Sequence, residues 1–318
     1  MRPGAWLVWL AACAHVEPVV RDGPPLHVGF GPPPGLAQLE IARQERTSEV
    51  RFAGKEPLQV REEIRTRQRE AWKPLKGGGW RLTAMLLDEE ATRDGVPVGS
   101  AVPLRGVPFV QRVDADGRFV AAEDVSETVQ AIEALTPSRE LRRMLEPLLT
   151  SALLSERMET AWRRRTEGLC GLDFVPGAVS YGIDRQELAV GGPALSLVRA
   201  RVLGQAFDGT LPVMELELAF AGADSPMTRE VGAGAVLGEL LPAETLATHA
   251  TGHGRRLVSL ASCQVVAEEA ELDGEWTARK DAAENVEAGA VPQRIRFHVR
   301  RAARRSTGPQ ARAAEPMP

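Results

Sequence analysis

Polar and apolar residues alternate along most of the chain, and the period of that alternation changes only in the middle third. Between Leu58 and Trp72, Val60, Glu62, Ile64, Thr66 and Gln68 fall on one side of an extended chain and Arg61, Glu63, Arg65, Arg67 and Arg69 on the other. That is the period of two expected of a strand. The Glu, Arg and Gln content would also suit a helix, but the apolar residues make a poor helical stripe. Val50 and Phe52 alternate with Glu49 and Arg51 just upstream, and Gly77-Gly78-Gly79 predicts a turn into a further strand from Trp80 to Ala91. The arginine row reads as a solvated face or a ladder opposite acidic strands; contact with phosphate or carboxylate groups is the functional alternative.

An Asp-Gly pair recurs at Asp94-Gly95, Asp116-Gly117, Asp208-Gly209 and Asp273-Gly274. Such pairs supply the positive φ angles of tight hairpins, so an antiparallel meander is expected. Its clearest arm sets Met214, Leu216, Leu218 and Phe220, with Glu215 and Glu217 between them, against Val198, Ala200 and Val202, with Arg199 and Arg201 between. Such a sheet has one wet face carrying a Glu–Arg ladder.

Between the strand-rich parts the period lengthens. Val125, Val129 and Ile132 recur at helical spacing behind Asp124, a candidate N-cap, and Pro137-Ser138 opens a second helix through Leu141, Met144 and Leu145. Pro147 kinks that helix or starts another at Leu148. Leu148, Leu149, Ala152 and Leu153 would form its apolar face before Arg163-Arg164-Arg165, a basic cluster suited to a helix C-terminus.

The last third returns to strands, apart from a short helix expected around Leu237, Leu240 and Leu241. Arg255–Ala270 reads as one strand, Glu275–Lys280 as its partner, and Ile295, Phe297 and Val299 alternate with Arg294, Arg296 and His298 in a final one. Residues 304–318 are expected to be a disordered basic tail, or else a segment lying against anionic lipid.

The N-terminus changes the setting of all this. Arg2 precedes the apolar run Ala5–Ala12, followed by Cys13. This is the layout of a secretory signal and too short to span a membrane, which takes about 20 residues. Leu10-Ala11-Ala12-Cys13 resembles the lipobox of bacterial lipoproteins. That resemblance implies removal of residues 1–12, lipidation of Cys13, and stable anchoring by several acyl chains. It also implies a place in a bacterial cell envelope, facing the periplasm, with Ala14 in keeping with the outer membrane. Residues 13–46, rich in proline and glycine from Pro18 to Gly35, are expected to form an extended tether to a single domain at residues 47–303.

Composition narrows the partners. The full chain carries a net charge of −4, which does not suggest nucleic acid, and of its six Trp, Trp6 and Trp9 belong to the signal. With Cys13 assigned to lipid, Cys170 and Cys263 are the remaining thiols of an exported protein and are expected to pair, or else to stay as two buried thiols.

Motifs for chemistry are sparse. Asp114-Ala115-Asp116-Gly117 begins like a calcium loop but lacks its glycine and glutamate, so it reads as a turn. Gly232, Gly234 and Gly238 miss the dinucleotide spacing. His249 and His253 would need a helix to share a metal, and Gly252 and Gly254 argue for a loop. No cofactor, metal site or catalytic residue is assigned.

The expected class is α+β: a large, curved, half-barrel-like antiparallel sheet whose concave face carries the helical segment. That order of elements looks like periplasmic lipoprotein carriers and their outer-membrane acceptors. Three functions follow in order of preference. The first is a non-catalytic envelope lipoprotein offering an interaction surface to a protein partner. The second is a carrier or acceptor of a lipid or other apolar ligand in the concavity. The third is a hydrolase-like enzyme with a dispersed site.

Overall fold

The computed structural model describes residues 23–33, 37–52, 54–98, 104–136, 138–145, 149–166, 168–187, 193–232, 246–277 and 294–306. Their elements, in chain order, begin with the strands β1 (Leu26–Val28), β2 (Ala37–Arg51), β3 (Leu58–Pro74), β4 (Trp80–Arg93), β5 (Val96–Pro97), β6 (Pro108–Val113) and β7 (Phe119–Glu123). Helices α1 (Val125–Leu135), α2 (Arg139–Leu145) and α3 (Ser151–Thr166) follow. Then come β8 (Leu172–Phe174), β9 (Val179–Glu187), β10 (Pro193–Asp208), β11 (Leu211–Ala221), α4 (Pro226–Glu230), β12 (Leu246–Ser259), β13 (Val265–Thr277) and β14 (Arg294–Ser306). The architecture is mostly antiparallel sheet with some helix. Its large open sheet runs β7-β6-β4-β3-β2-β14-β13-β12-β11-β10-β9, with β5 beside β4, while β1 and β8 pair separately.

Alternation sets the faces of this sheet. Met214, Leu216, Leu218 and Phe220 are buried together with Val198, Ala200, Val202, Leu272, Ile295, Phe297 and Val299, which form the main core. Leu26 and Val28 of β1 complete it, so the small β1–β8 sheet covers part of that face. The sheet bends strongly. Arg301 of β14 reaches Asp184 of β9 at 2.9 Å, although five strand spacings separate them in the sheet order, roughly 24 Å on a flat sheet. Five register irregularities, among them Val202/Gly204 in β10 and Leu257/Val258 in β12, add local twist.

Gly274 contributes by having no side chain. The Phe297 ring lies over it, and a Cβ there would stand 2.1 Å from the ring. Gly274→Ala is therefore expected to destabilise by about 1 to 3 kcal/mol through overpacking, and Phe297→Leu in the same chain should recover part of the loss. Chemical denaturation of the single and double variants checks this; an additive pair would remove the steric explanation.

Several expectations need correction. Residues 37–46, assigned to the tether, lie in β2, a central strand between β14 and β3; the prolines stop at Pro34, and charged residues then conceal a strand. The domain also extends past residue 303, because β14 continues to Ser306 and Arg305 is buried. Asp94-Gly95, Asp116-Gly117 and Asp208-Gly209 do sit at hairpin turns, but Asp273-Gly274 lies inside β13. The turn between β12 and β13 is instead Leu260–Gln264, where Cys263 takes a left-handed φ of 51°. His249 and His253 lie on β12 rather than in a loop. Asp124 precedes α1 with a left-handed backbone and no capping side-chain bond, and its carboxylate pairs with Arg81.

The buried stripe of α3 is Leu154, Met158 and Trp162, spaced four apart and later in sequence than the Leu148–Leu153 face. Trp162 makes edge-on contacts with Trp72 of β3 and with Phe30, and its indole N–H donates to the Gly117 carbonyl at 2.8 Å. The helix expected around Leu237 to Leu241 lies outside the described residues.

Candidate functional site

Cys13 and the lipobox lie outside the described residues. The other two cysteines do meet: Cys170, just after α3, and Cys263, in the β12–β13 turn, stand at disulfide distance with Cα atoms 5.2 Å apart. They join the end of the helical segment to the sheet.

Charge is distributed unusually inside the bend. On β3 the core-facing positions include Glu62 and Glu70 as well as Val60 and Trp72, and on β14 they include Arg301 and Arg305 as well as Ile295 and Phe297. Each of these groups belongs to one of three ion clusters. Glu70 accepts from Arg165 of α3 and, at 3.0 Å, from Arg305, which also donates to the Gln264 side chain. Glu268 accepts from Arg256 at 2.6 Å and from Arg301 at 2.9 Å, and Arg301 donates to Asp184. Glu62 accepts from Arg93 at 2.7 Å and stands 3.9 Å from Arg46.

Electrostatics fix the protonation of these groups. Burial by itself would raise the Glu70 carboxyl, but the guanidiniums of Arg165 and Arg305 outweigh it and hold the carboxyl at about 2. Glu268 is likewise held low against its burial by Arg256 and Arg301, and Asp184 and Glu268 keep Arg301 charged despite its burial. Glu70 and Glu268 are therefore held as carboxylates inside their clusters. A general acid working near neutrality needs the reverse, a raised carboxyl.

The opposite face carries a groove of about 470 Å³, lined chiefly by Thr47 and Glu49 of β2, His249 of β12, Asp273 and Glu275 of β13, and Arg296 and His298 of β14. Its charges are paired as well. Glu49 accepts from Arg51 at 2.7 Å and Glu275 from Arg296 at 3.2 Å, while the His298 ring meets Asp273 at 2.9 Å. The hydrogen bond from Arg51 lowers the Glu49 carboxyl and that from Arg294 lowers Glu275. The groove is open to water, and its charged side chains pair with one another over a floor that includes Ala250 and Phe297. His249 and His253, considered above as a metal pair, sit on one extended strand four residues apart, about 13 Å. Of the β3 arginines, Arg67 pairs across to Asp88 of β4 at 3.0 Å, as a ladder opposite an acidic strand requires, whereas Arg65 pairs with Glu63 of its own strand at 2.6 Å. Arg163 pairs with Glu159 within α3, but Arg165 of the same cluster reaches Glu70, a role that a C-terminal helix charge does not foretell.

No protein family and no characterised protein sequence matches this chain. Among solved structures it is similar to lipovitellin, described for its lipid–protein interactions, at 9% identity and a TM-score of 0.35 over 90% of this chain. The chain spans about a quarter, 26%, of that protein. DynF from the dynemicin biosynthesis pathway of Micromonospora chersina is similar at 8% identity and a TM-score of 0.19, covering 96% of this chain and 90% of its own. An outer membrane channel from Pseudomonas putida F1 is similar at 7% identity and a TM-score of 0.19, covering 87% and 97% respectively. At these scores the likenesses carry no argument about function.

Proposed function

We propose that this protein is a lipid-anchored lipoprotein of a bacterial envelope, whose folded body offers an interaction surface and does not act as a catalyst. One observation carries the reading: Cys170 and Cys263 meet each other, which leaves Cys13 as the odd thiol, in the lipobox-like position. Disulfides persist in oxidising compartments, so the pair and the N-terminal signal support the same destination. The pairing of the buried charges supports a scaffold, because ionised clusters locked in the interior hold a surface in shape.

In this reading the body is a half-barrel whose concave side the helical segment covers. It is supported by Trp162 and Arg165 of α3 contacting Trp72 and Glu70 on the core-facing side of β3, the side towards which the sheet bends. A second reading, a carrier of a lipid, is favoured by one stretch of that side. Ile64, Thr66 and Gln68 of β3 and Leu86 of β4 are only half-buried, and they lie between the Glu62 and Glu70 clusters. The charged flanks would suit a ligand with a polar head and an apolar tail.

Cys13→Ala in the full chain is expected to abolish palmitate incorporation and membrane partition. Labelling that persists in the variant would sink the anchor reading. Native mass spectrometry of the wild-type protein in detergent separates the two functions: a bare protein mass favours the interaction surface, and a stoichiometric lipid adduct resistant to exchange favours the carrier.

A further inference from the structure

The described N-terminal segment meets the body at one end of the large sheet. Gly23 lies against Pro176, where a Cβ would stand 3.1 Å from the proline ring, and β1 follows directly. The Gly29 N–H donates to the Leu260 carbonyl at 2.8 Å, and the Leu260 N–H donates to the Pro212 carbonyl at 3.2 Å. Pro212 is in register with Phe207 across the β10–β11 hairpin. Three lateral steps of about 5 Å place Phe207 roughly 15 Å from Gly29.

Phe207 is the most exposed large hydrophobic side chain among the described residues, at 66%. Leu203, four residues earlier on β10, is 44% exposed, and Leu172, in register with Val28 across the β1–β8 pair, is 46% exposed. Single exposed apolar residues are ordinary. Three stand towards the end of the sheet where the N-terminal chain arrives, the largest of them at a hairpin tip, and give that end an apolar character. Arg304, bonded to Asp208 at 2.8 Å, adds an exposed cation at the same tip.

We propose that this patch is a lipid-contact surface: the tip of the β10–β11 hairpin lies on the bilayer that holds Cys13, with Phe207 and Leu203 at the headgroup boundary and Arg304 among the phosphates. The inference rests on the lipid-anchor reading above. The ten residues from Cys13 to Gly23 span at most about 36 Å when fully extended, so the anchor keeps this end of the body near the membrane. An aromatic side chain with an adjacent cation is chemistry suited to that boundary. A patch meant for a protein partner would need no such nearness to the acylated end.

The test uses the full acylated chain with the photoreactive residue benzoylphenylalanine at position 207, reconstituted in vesicles of phosphatidylethanolamine and phosphatidylglycerol. The control carries it at position 96, because Val96 is 64% exposed but opens β5, beside the β4–β5 turn at the opposite end of the sheet. Both sites are on the surface, so folding is preserved. The proposal expects lipid adducts at 207 and none at 96. A membrane-bound protein that gives no lipid adduct at 207, equal adducts at both positions, or a crosslink to a second copy or another protein at 207 overturns the proposal and leaves the anchor standing. A protein that lacks palmitate and stays in solution overturns the anchor reading and this inference with it.

Discussion

Glu70→Gln is expected to lower the unfolding free energy at neutral pH by about 3 to 5 kcal/mol, the usual cost of removing one partner from a buried ion cluster. Glu70 is 1% exposed and is the anion between two guanidiniums that come from opposite parts of the chain, Arg165 on α3 and Arg305 near the end of β14. A neutral amide removes the carboxylate that the half-buried Arg165 and the buried Arg305 both bond. It also weakens the hold of α3 on β3, to which the packing of Trp162 on Trp72 contributes as well.

The acid limb of stability gives the same prediction an independent reading. The Glu70 carboxyl is lowered from 4.5 to about 2 in the folded protein. The stabilisation linked to that shift is therefore fully present above about pH 4.5 and disappears as pH falls towards 2, a swing of about 3 kcal/mol. Urea unfolding at neutral pH and at about pH 3 should show wild type losing stability faster on acidification than the variant does. A variant within about 1 kcal/mol of wild type at neutral pH would show that the cluster contributes little.

The same cluster explains what the sequence hid. Alternation was legible wherever one face is apolar: the β10–β11 hairpin, its Asp208-Gly209 turn and the Arg201–Glu217 pair at 2.8 Å all follow from it. It fails where the core side itself is charged. Arg305 lies in an arginine-rich run that resembles a solvated tail, and its partner Glu70 is 235 residues away, so no local pattern reveals that it is buried. The first half of β2 was lost to composition, since Gln38, Glu40, Arg43, Gln44 and Glu45 read as linker. Asp273-Gly274 has turn chemistry, but the Phe297 ring across the strand uses the glycine for space. Tertiary packing there overrides local preference. Of the candidate sites, the cysteine pair was legible once Cys13 was set aside for lipid, with two separate buried thiols as the alternative. The outer groove was not, because its walls come from β2, β3, β12, β13 and β14 and meet only after folding.

Reduction of the Cys170–Cys263 pair is the second large effect expected. The cysteines are 93 residues apart, and closing a loop of that size stabilises by about 4 to 5 kcal/mol through the lost freedom of the unfolded chain. Mass analysis without reductant should find the protein lighter than its reduced form by two hydrogens, and thiol-specific reagents should leave Cys170 and Cys263 untouched until the chain is unfolded and reduced. Free thiols in the native protein would end the argument. The reduced protein should also respond differently to Glu70→Gln. Gln264, which receives Arg305, is the residue after Cys263 in the tight β12–β13 turn, and Cys170 follows α3, which supplies Arg165. Disulfide and ion cluster thus fasten the same helix to the same turn. Their combined loss should differ from the sum of the separate losses by more than about 0.5 kcal/mol, whereas strict additivity would show that the two fastenings act independently.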